Sequence, residues 1–340
     1  VNTANDFGRS LDISGNWLVV SDSNDCDEVV FSGAVYVFHK NEGKWQFHSK
    51  IKSPKVDRQD PFGIEVKIVD ETIYVSTFDN TIQIFKLLDG KWQHTQVIEQ
   101  LNDSNAYLSH FTVYKDLMVF GLTEHESTIE FKNKSAGKVL VYRHDGTQWV
   151  FEAILKPQIG QGNDGFGEYV AISDRYIAVS SPELMPVKEG QAQGAVHVFN
   201  HVFGQWKLNG MVRPPIDHMD SNLKRSGFGY ELKLDGNDLY IQDGHLKYQS
   251  AMMEGLPEVC EFSDASGAIY HYKKQGSDWQ LVKTIKLQDN PGSLGGILKA
   301  SDAGLYFLSN ELREEHQSSL YLNHYNEGQV QWKHSINSQQ

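Results

Sequence analysis

At 340 residues the chain could hold two or three ordinary domains, or one large domain that grows by repetition. With 39 % hydrophobic and 22 % charged residues it has a globular composition, and no apolar run approaches the roughly 18 residues that a membrane-spanning helix requires. Its 31 Lys and Arg against 44 Asp and Glu give a net charge of −13, which excludes sequence-independent binding of nucleic acid, since that rests on cationic surface.

Taken in chain order, the predicted elements are strands, and they come in sets. The first set opens at Asp6 with "DFGRSLDISGNWLVVSDS" and closes from Ser32 with "SGAVYVFHKNEGKWQF". The same two phrases follow as "PFGIEVKIVDETIYVST" from Pro61 with "NTIQIFKLLDGKWQH" from Asn80, and as "YLSHFTVYKDLMVFGLT" from Tyr107 with "AGKVLVYRHDGTQWVF" from Ala136. They recur as "GFGEYVAISDRYIAVSS" from Gly165 with "QGAVHVFNHVFGQWKL" from Gln193, and as "GFGYELKLDGNDLYIQD" from Gly227 with "SGAIYHYKKQGSDWQL" from Ser266. A looser sixth set runs "SLGGILKASDAGLYFLS" from Ser293 and "SSLYLNHYNEGQVQW" from Ser318.

Each set reads as four short strands, A to D, rich in β-branched and aromatic residues and punctuated by Gly, Asp and Asn. Turns such as "KNEG", "LLDG" and "HDG" between strands C and D use residues that tolerate positive φ. Such a meander cannot bury both faces alone, and radial stacking of repeats solves that problem. The expected fold is therefore all-β, a single-domain β-propeller over residues 1–340 with six four-stranded antiparallel blades rather than seven. The repeats fall at about 5–55, 60–101, 105–157, 164–215, 226–288 and 293–336.

The tryptophans that open strand D (Trp45, Trp92, Trp149, Trp206, Trp279 and Trp332) are expected to cover the gaps between blades. The glycine of each Phe-Gly pair is expected to let strand A approach the crowded axis or to relieve a bulge. Recurring residues of this kind report packing, so they leave the list of site candidates.

The Phe-Gly phrase followed by "GAVYVF…W" resembles the FG-GAP repeats of extracellular propellers, the repeat class of integrin α-chain heads. The pair is literal at Phe7, Phe62, Phe166 and Phe228 and degenerate at Leu108–Ser109 and Leu294–Gly295. The resemblance implies a secreted or cell-surface recognition module. It also implies calcium in loops between strands A and B, but the turns here ("SGN", "VDE", "YKD", "SDR", "DGND", "SDAG") lack the five or six oxygen ligands the ion needs, so those sites are not carried over.

Site candidates come from the loops instead. Strands A–B and C–D are joined by short turns, whereas the B–C segments 21–32, 122–136, 181–193 and 243–266 and the blade connection 213–227 are long and varied. On that face Phe31, Phe131, His218, Arg225, Tyr248 and Phe262 are the candidate contacts for a protein or glycan partner. Asp22, Asn24, Asp25 and Asp27, with Glu28 beside them, form an acidic cluster that could take calcium, and no other cofactor is required. Asp6, Asp60 and Asp164 precede strand A and are placed by symmetry at the mouth of a central channel, although turn chemistry also explains them. Cys26 and Cys260 both fall in B–C loops and are expected to be unpaired or only opportunistically paired.

The sequence has no G-x-S-x-G elbow, H-E-x-x-H or P-loop. Two readings follow. One is a non-catalytic recognition or adhesion module, free-standing or part of a larger chain or complex, which uses the long-loop face. The alternative is a hydrolase or lyase whose site at the channel mouth is built from Asp6, Asp60, Asp164 and nearby histidines.

Overall fold

Short runs of β-formers broken by turn residues leave the backbone to satisfy its hydrogen bonds in antiparallel ladders. The computed structural model describes residues 6–26, 32–54, 61–99, 106–123, 137–158, 164–184, 194–215, 228–243, 268–285, 292–301, 304–312, 318–326 and 329–335. Blade 1 comprises β1 (Phe7–Ser14), β2 (Trp17–Asp22), β3 (Ala34–Asn41) and β4 (Lys44–Ile51), and blade 2 comprises β5 (Phe62–Val69), β6 (Thr72–Thr77), β7 (Ile82–Leu88) and β8 (Lys91–Ile98). Blade 3 is β9 (Tyr107–Tyr114), β10 (Leu117–Thr123), β11 (Lys138–His144) and β12 (Trp149–Leu155), and blade 4 is β13 (Val170–Ile172), β14 (Tyr176–Ser181), β15 (Ala195–Val202) and β16 (Gln205–Val212). Blade 5 is β17 (Phe228–Asp235), β18 (Asp238–Asp243), β19 (Ala268–Gln275) and β20 (Asp278–Ile285), and blade 6 is β21 (Gly292–Ser301), β22 (Gly304–Leu312), β23 (Ser318–Asn326) and β24 (Gln329–Ser335).

In every blade each strand pairs with its sequence neighbour, so the six sheets are the six expected meanders. No helix occurs among the described residues. Two compact units divide the chain, Val1–Glu126 with Leu140–Ile154 and Ser127–Val139 with Leu155–Gln340. Apart from the ends of β11 and β12, the first unit holds blades 1 to 3 and the second holds blades 4 to 6.

Alternation along a strand sends neighbouring side chains to opposite faces, and the inner blades of each unit use both. Ile73, Val75 and Phe85 of blade 2 join Val19, Val35, Val37 and Ile51 of blade 1 in one core. From the same two strands, Tyr74, Ile82 and Ile84 turn the other way and pack with Phe111, Met118, Phe120, Leu140 and Trp149 of blade 3. In the second unit Leu239 and Ile241 pack toward blade 4, while Tyr240 and Ile269 pack with Leu305, Phe307 and Tyr325 of blade 6. Each large apolar side chain buried this way stabilises the stack by roughly 2–3 kcal/mol.

Both repeat phrases meet in one joint. Phe62 N–H donates to Ser32 O at 3.2 Å. A Cβ on Gly33, whose φ is +71°, would lie 1.9 Å from Phe62 O. A Cβ on Gly63, at φ +90°, would come within 3.1 Å of Ala34 O and 3.3 Å of Ser21 Cβ. Blades 4 and 5 repeat the joint, with a Cβ on Gly194 only 2.9 Å from Phe228 O. The Phe-Gly pair also opens a bulge, since register shifts between Phe62 and Val66 and between Phe228 and Glu231. What Gly63 and Gly229 approach closely is the preceding blade.

Three of the tryptophans bridge blades, whereas Trp45 is exposed, with Lys40 of its own blade over its ring. Trp92 meets Trp17 of blade 1 at 5.3 Å between ring centroids, Trp149 meets Tyr74 of blade 2 at 5.9 Å, and Trp279 meets Tyr176 of blade 4 at 5.2 Å, all edge-to-face. Polar rungs add to this. Alternate side chains of β1 accept bonds from β5, namely Ser10 from Val66 N at 3.1 Å, Asp12 from Ile68 N at 2.8 Å and Ser14 from Asp70 N at 2.9 Å. Turns between C and D take positive φ at both central residues, as at Glu42–Gly43 and Asp89–Gly90.

Candidate functional site

Within each blade the two ends differ in the chain they carry. Strands A and B are joined through Gly15–Asn16, Asp70–Glu71 and Lys115–Asp116, whereas strands B and C are separated by residues 23–33 in blade 1, 124–137 in blade 3, 182–194 in blade 4 and 244–267 in blade 5. Of the sequence-derived candidates, Asp6, Asp164, Asp22, Asn24 and Asp25 fall among the described residues. Phe31, Phe131, His218, Arg225, Tyr248, Phe262, Asp60 and Asp27 lie outside them, as does Cys260. Cys26 is exposed, and its Sγ donates to Asn24 O at 2.9 Å.

At the B–C end of blade 1 the acidic residues have separate tasks. Asp22 Oδ1 accepts from Asp6 N at 3.1 Å and from Asn24 N at 3.2 Å, which ties the start of strand A to the turn after strand B. The Asp6 carboxylate accepts from Ser23 Oγ at 2.7 Å and from Arg9 Nη1 at 3.0 Å. The Ser23 hydroxyl and the Arg9 guanidinium hold its pKa below the usual carboxylate value. Asp25 is buried and receives Lys50 Nζ at 2.6 Å, Lys52 Nζ, and the Tyr36 hydroxyl at 2.8 Å. Two ammonium groups thus stand against the carboxylate where a hard cation would have to bind. Among the described residues no three His, Cys, Asp or Glu side chains converge on a point that could hold a metal ion.

The sequence alone does not mark Lys50, Lys52 and Tyr36, because strand periodicity reads Tyr36 and Lys50 as ordinary members of β3 and β4 and Lys52 as the residue that follows β4. Cross-strand register was the missing signal. Tyr36 pairs with Lys50 and Val35 with Ile51, which puts Tyr36, Lys50 and Lys52 on the face of the sheet turned away from the Val35–Ile51 core. Burial raises the Tyr36 phenol above its ordinary pKa, and Lys50 Nζ lies 5.0 Å from its ring centroid.

Blade 4 has the same framework with different side chains. His197 pairs with Met211 and Val196 with Val212, so His197 stands where Tyr36 does, Met211 where Lys50 does and Arg213 where Lys52 does. Phe166 meets His197 edge-on at 5.2 Å, just as Phe7 meets Tyr36 at 5.2 Å. His197 is only 1 % exposed, and neither ring nitrogen has a hydrogen-bond partner. Burial, with a smaller push from the Arg213 charge, lowers its pKa to about 4. Asp164 is also buried and favours the charged form of Arg213.

The His197 shift has a stability consequence. Between about pH 6.5 and pH 4 the unfolded chain binds a proton that folded His197 refuses, so stability falls as the pH drops through that window. In a Bis-Tris chloride buffer the urea midpoint should fall between pH 7 and pH 5, and His197→Tyr, which copies blade 1, should flatten that dependence. An unchanged slope in the variant would show that His197 is not the titrating group.

A second charged cluster lies on the strand A side of blades 2 and 3. Glu65 sits 2.9 Å from Lys67 Nζ and 3.2 Å from His110 Nε2, and accepts from Phe111 N at 3.0 Å. Burial works against its ionisation, but the His110 and Lys67 charges and the Phe111 amide overcome that, and its pKa ends below the ordinary value. Glu231 and Lys233 repeat the pair in blade 5 at 3.5 Å.

Meander blades stacked through Phe-Gly joints define a β-propeller protein. Solved structures with the same fold include proposed 6-phosphogluconolactonases from Bacteroides uniformis ATCC 8492 and from Bacteroides fragilis NCTC 9343. The first is 12 % identical, with a TM-score of 0.56 and coverage of 97 % of this chain and 84 % of that one. The second is 13 % identical, also at 0.56, with 97 % and 83 % covered. Sqt1 of Saccharomyces cerevisiae is 8 % identical at a TM-score of 0.53, with 98 % and 86 % covered. The FG-GAP repeat model matches residues 1–38 and 149–199, which include the Phe-Gly and Gly-Ala-Val phrases of blades 1 and 4, so in these parts the chain is similar to FG-GAP repeats. No curated protein matches the sequence.

Proposed function

We propose that residues 1–340 form one recognition domain, secreted or displayed at a cell surface, which binds a protein or glycan partner without turning it over. The observation that carries this reading is the unequal distribution of chain within the blades. Two-residue turns close one end of the blades, as at Gly15–Asn16 and Gly276–Ser277, while segments as long as 244–267 join strands at the other. Rigid blades carrying long, varied loops are the arrangement through which scaffolds present binding residues. FG-GAP repeats and the absence, among the described residues, of a helix able to cross a membrane are in keeping with it. Phe31, Phe131, His218, Arg225, Tyr248 and Phe262 are the contacts this reading assigns.

A glycan array probed with the wild-type chain and with a variant whose 244–267 segment is replaced by a short Gly-Ser link provides the test. Binding that is lost in the loop variant and kept when the turn at 276–277 is altered supports the reading. Turnover of polysaccharide or ester substrates that disappears when Asp6 and Asp164 are both replaced by Asn would overturn it in favour of the hydrolase or lyase. So would binding that survives removal of the loop.

A further inference from the structure

Asn209–Gly210 is the one Asn-Gly dipeptide in the sequence, and it lies in β16 of blade 4. An asparagine before glycine is open to attack by the next backbone nitrogen, because glycine has no side chain to shield that nitrogen or restrict its backbone. A regular ladder suppresses the attack by holding the chain extended. Here the ladder is interrupted: Gly210 pairs with Val198 and Leu208 with Phe199, so Asn209 is the extra residue of a β-bulge and has no cross-strand partner. Asn209 is half-buried, so water reaches it. Its side chain crosses to blade 5, where Lys274 Nζ of β19 donates to Asn209 Oδ1 at 2.5 Å. The same ammonium donates to Ser277 O at 2.6 Å and lies 5.7 Å from the Trp279 ring centroid. Both acceptors are neutral, and burial lowers the Lys274 pKa against the pull of the Asp278 charge. A cation bonded only to neutral groups stands where a carboxylate would hold it better.

We propose that Asn209 is a self-modification site, at which the chain converts this asparagine to aspartate and so acquires an ion pair between blades 4 and 5. In the first step the Gly210 backbone nitrogen forms a bond to Asn209 Cγ, the Cγ–Nδ2 bond breaks, and ammonia leaves with the amide proton, which closes a succinimide ring. In the second, water adds to one ring carbonyl, the bond from that carbon to the Gly210 nitrogen breaks, and a proton returns to the nitrogen. Lys274 acts on both steps, because an ammonium on Oδ1 stabilises the negative charge this oxygen gains as Cγ becomes tetrahedral. It also decides which carbonyl opens. Attack at Cγ restores the normal backbone and leaves an aspartate, whereas attack at the backbone carbonyl inserts a methylene into β16 as isoaspartate. With Lys274 polarising it, Cγ is the carbon that opens, and the new carboxylate is held by the same cation. This inference is independent of the partner-binding reading, since β16 and β19 are not among the long loops.

The full-length chain is aged for several weeks in mildly alkaline buffer beside a synthetic peptide with the sequence of residues 205–214, and both are read by peptide mass spectrometry and an isoaspartate methyltransferase assay. In the folded chain the fragment holding Asn209 and Gly210 should gain the one-dalton difference between amide and acid, with normal aspartate as the main product. The free peptide should give mainly isoaspartate. Lys274→Met should slow the change in the folded chain by about tenfold, as expected for losing one charged donor to a half-exposed oxyanion, and should turn the product toward isoaspartate. Asn209→Asp should raise the urea midpoint, and should raise it less in a Lys274→Met background. No mass gain in the folded chain, isoaspartate as its main product, an unchanged rate and product in Lys274→Met, or an Asn209→Asp midpoint no higher than that of the wild type each overturns the proposal. The comparison of folded chain with peptide decides the matter even if Lys274→Met does not fold.

Discussion

Replacing Gly33 with alanine should lower stability by about 4 kcal/mol and should be the most damaging single-methyl change in blades 1 and 2. Two penalties combine. A positive φ of 71° costs a β-carbon-bearing residue roughly 1–2 kcal/mol. The added Cβ would also stand 1.9 Å from the carbonyl oxygen of Phe62, which is backbone and cannot rotate away, so the blade joint must open. Opening it separates Phe62, fully buried, from Val19, Val35 and Val37. Gly43→Ala is the matched control, since Gly43 has φ +80° with no other group within 4 Å of where its Cβ would stand, and it should cost only about 1–2 kcal/mol. Urea unfolding followed by tryptophan fluorescence compares the two. Equal midpoints would mean that the joint does not hold blades 1 and 2 together.

Asp25→Asn should cost about 3 kcal/mol. The change preserves shape but leaves Lys50 and Lys52 facing a neutral group, and breaking a largely buried ion cluster on one side costs about 3–5 kcal/mol. Lys50 and Lys52 keep 20 % and 18 % of their side-chain surface exposed, so partial hydration places the effect at the low end of that range. Blade 4 indicates the compensating change, because Leu184 and Met211 occupy the places of Asp25 and Lys50. The double variant Asp25→Leu with Lys50→Met should therefore recover part of what Asp25→Leu loses. A double-mutant cycle on urea midpoints measures the coupling, and strictly additive effects would show that Asp25 and Lys50 do not interact.

The six meanders and their turns were legible because each strand of a blade follows its neighbour in sequence. Strand-length runs, the positive-φ residues at Glu42–Gly43 and Asp89–Gly90, and the tryptophan at the first or second position of strand D in blades 1 to 5 are all local signals. The role of the Phe-Gly pair was only half legible. A bulge can be suspected from a glycine in a strand, but that Gly63 touches Ser21 and Ala34 is a fact about two residues more than twenty-five positions away. The site shows the same limit. Asp22, Asn24 and Asp25 look alike as a cluster of oxygens, yet Asp22 bonds backbone while Asp25 meets two lysines from beyond the loop, and nothing in the loop's own letters distinguishes them.

By itself the sequence determined what depends on neighbours along the chain: strand, turn, repeat and the number of sheets. Charge pairing was decided by the tertiary structure, because cross-strand register sets which side chains share a face. Lys52 therefore finds Asp25, whereas on the same framework of blade 4, which carries Arg213, the backbone puts Leu184 at the place of that acid. The physical reason is that a ladder's hydrogen bonds are made by any backbone, while an ion pair inside it requires two particular side chains within about 4 Å of each other, and distance in space is not written in distance along the chain.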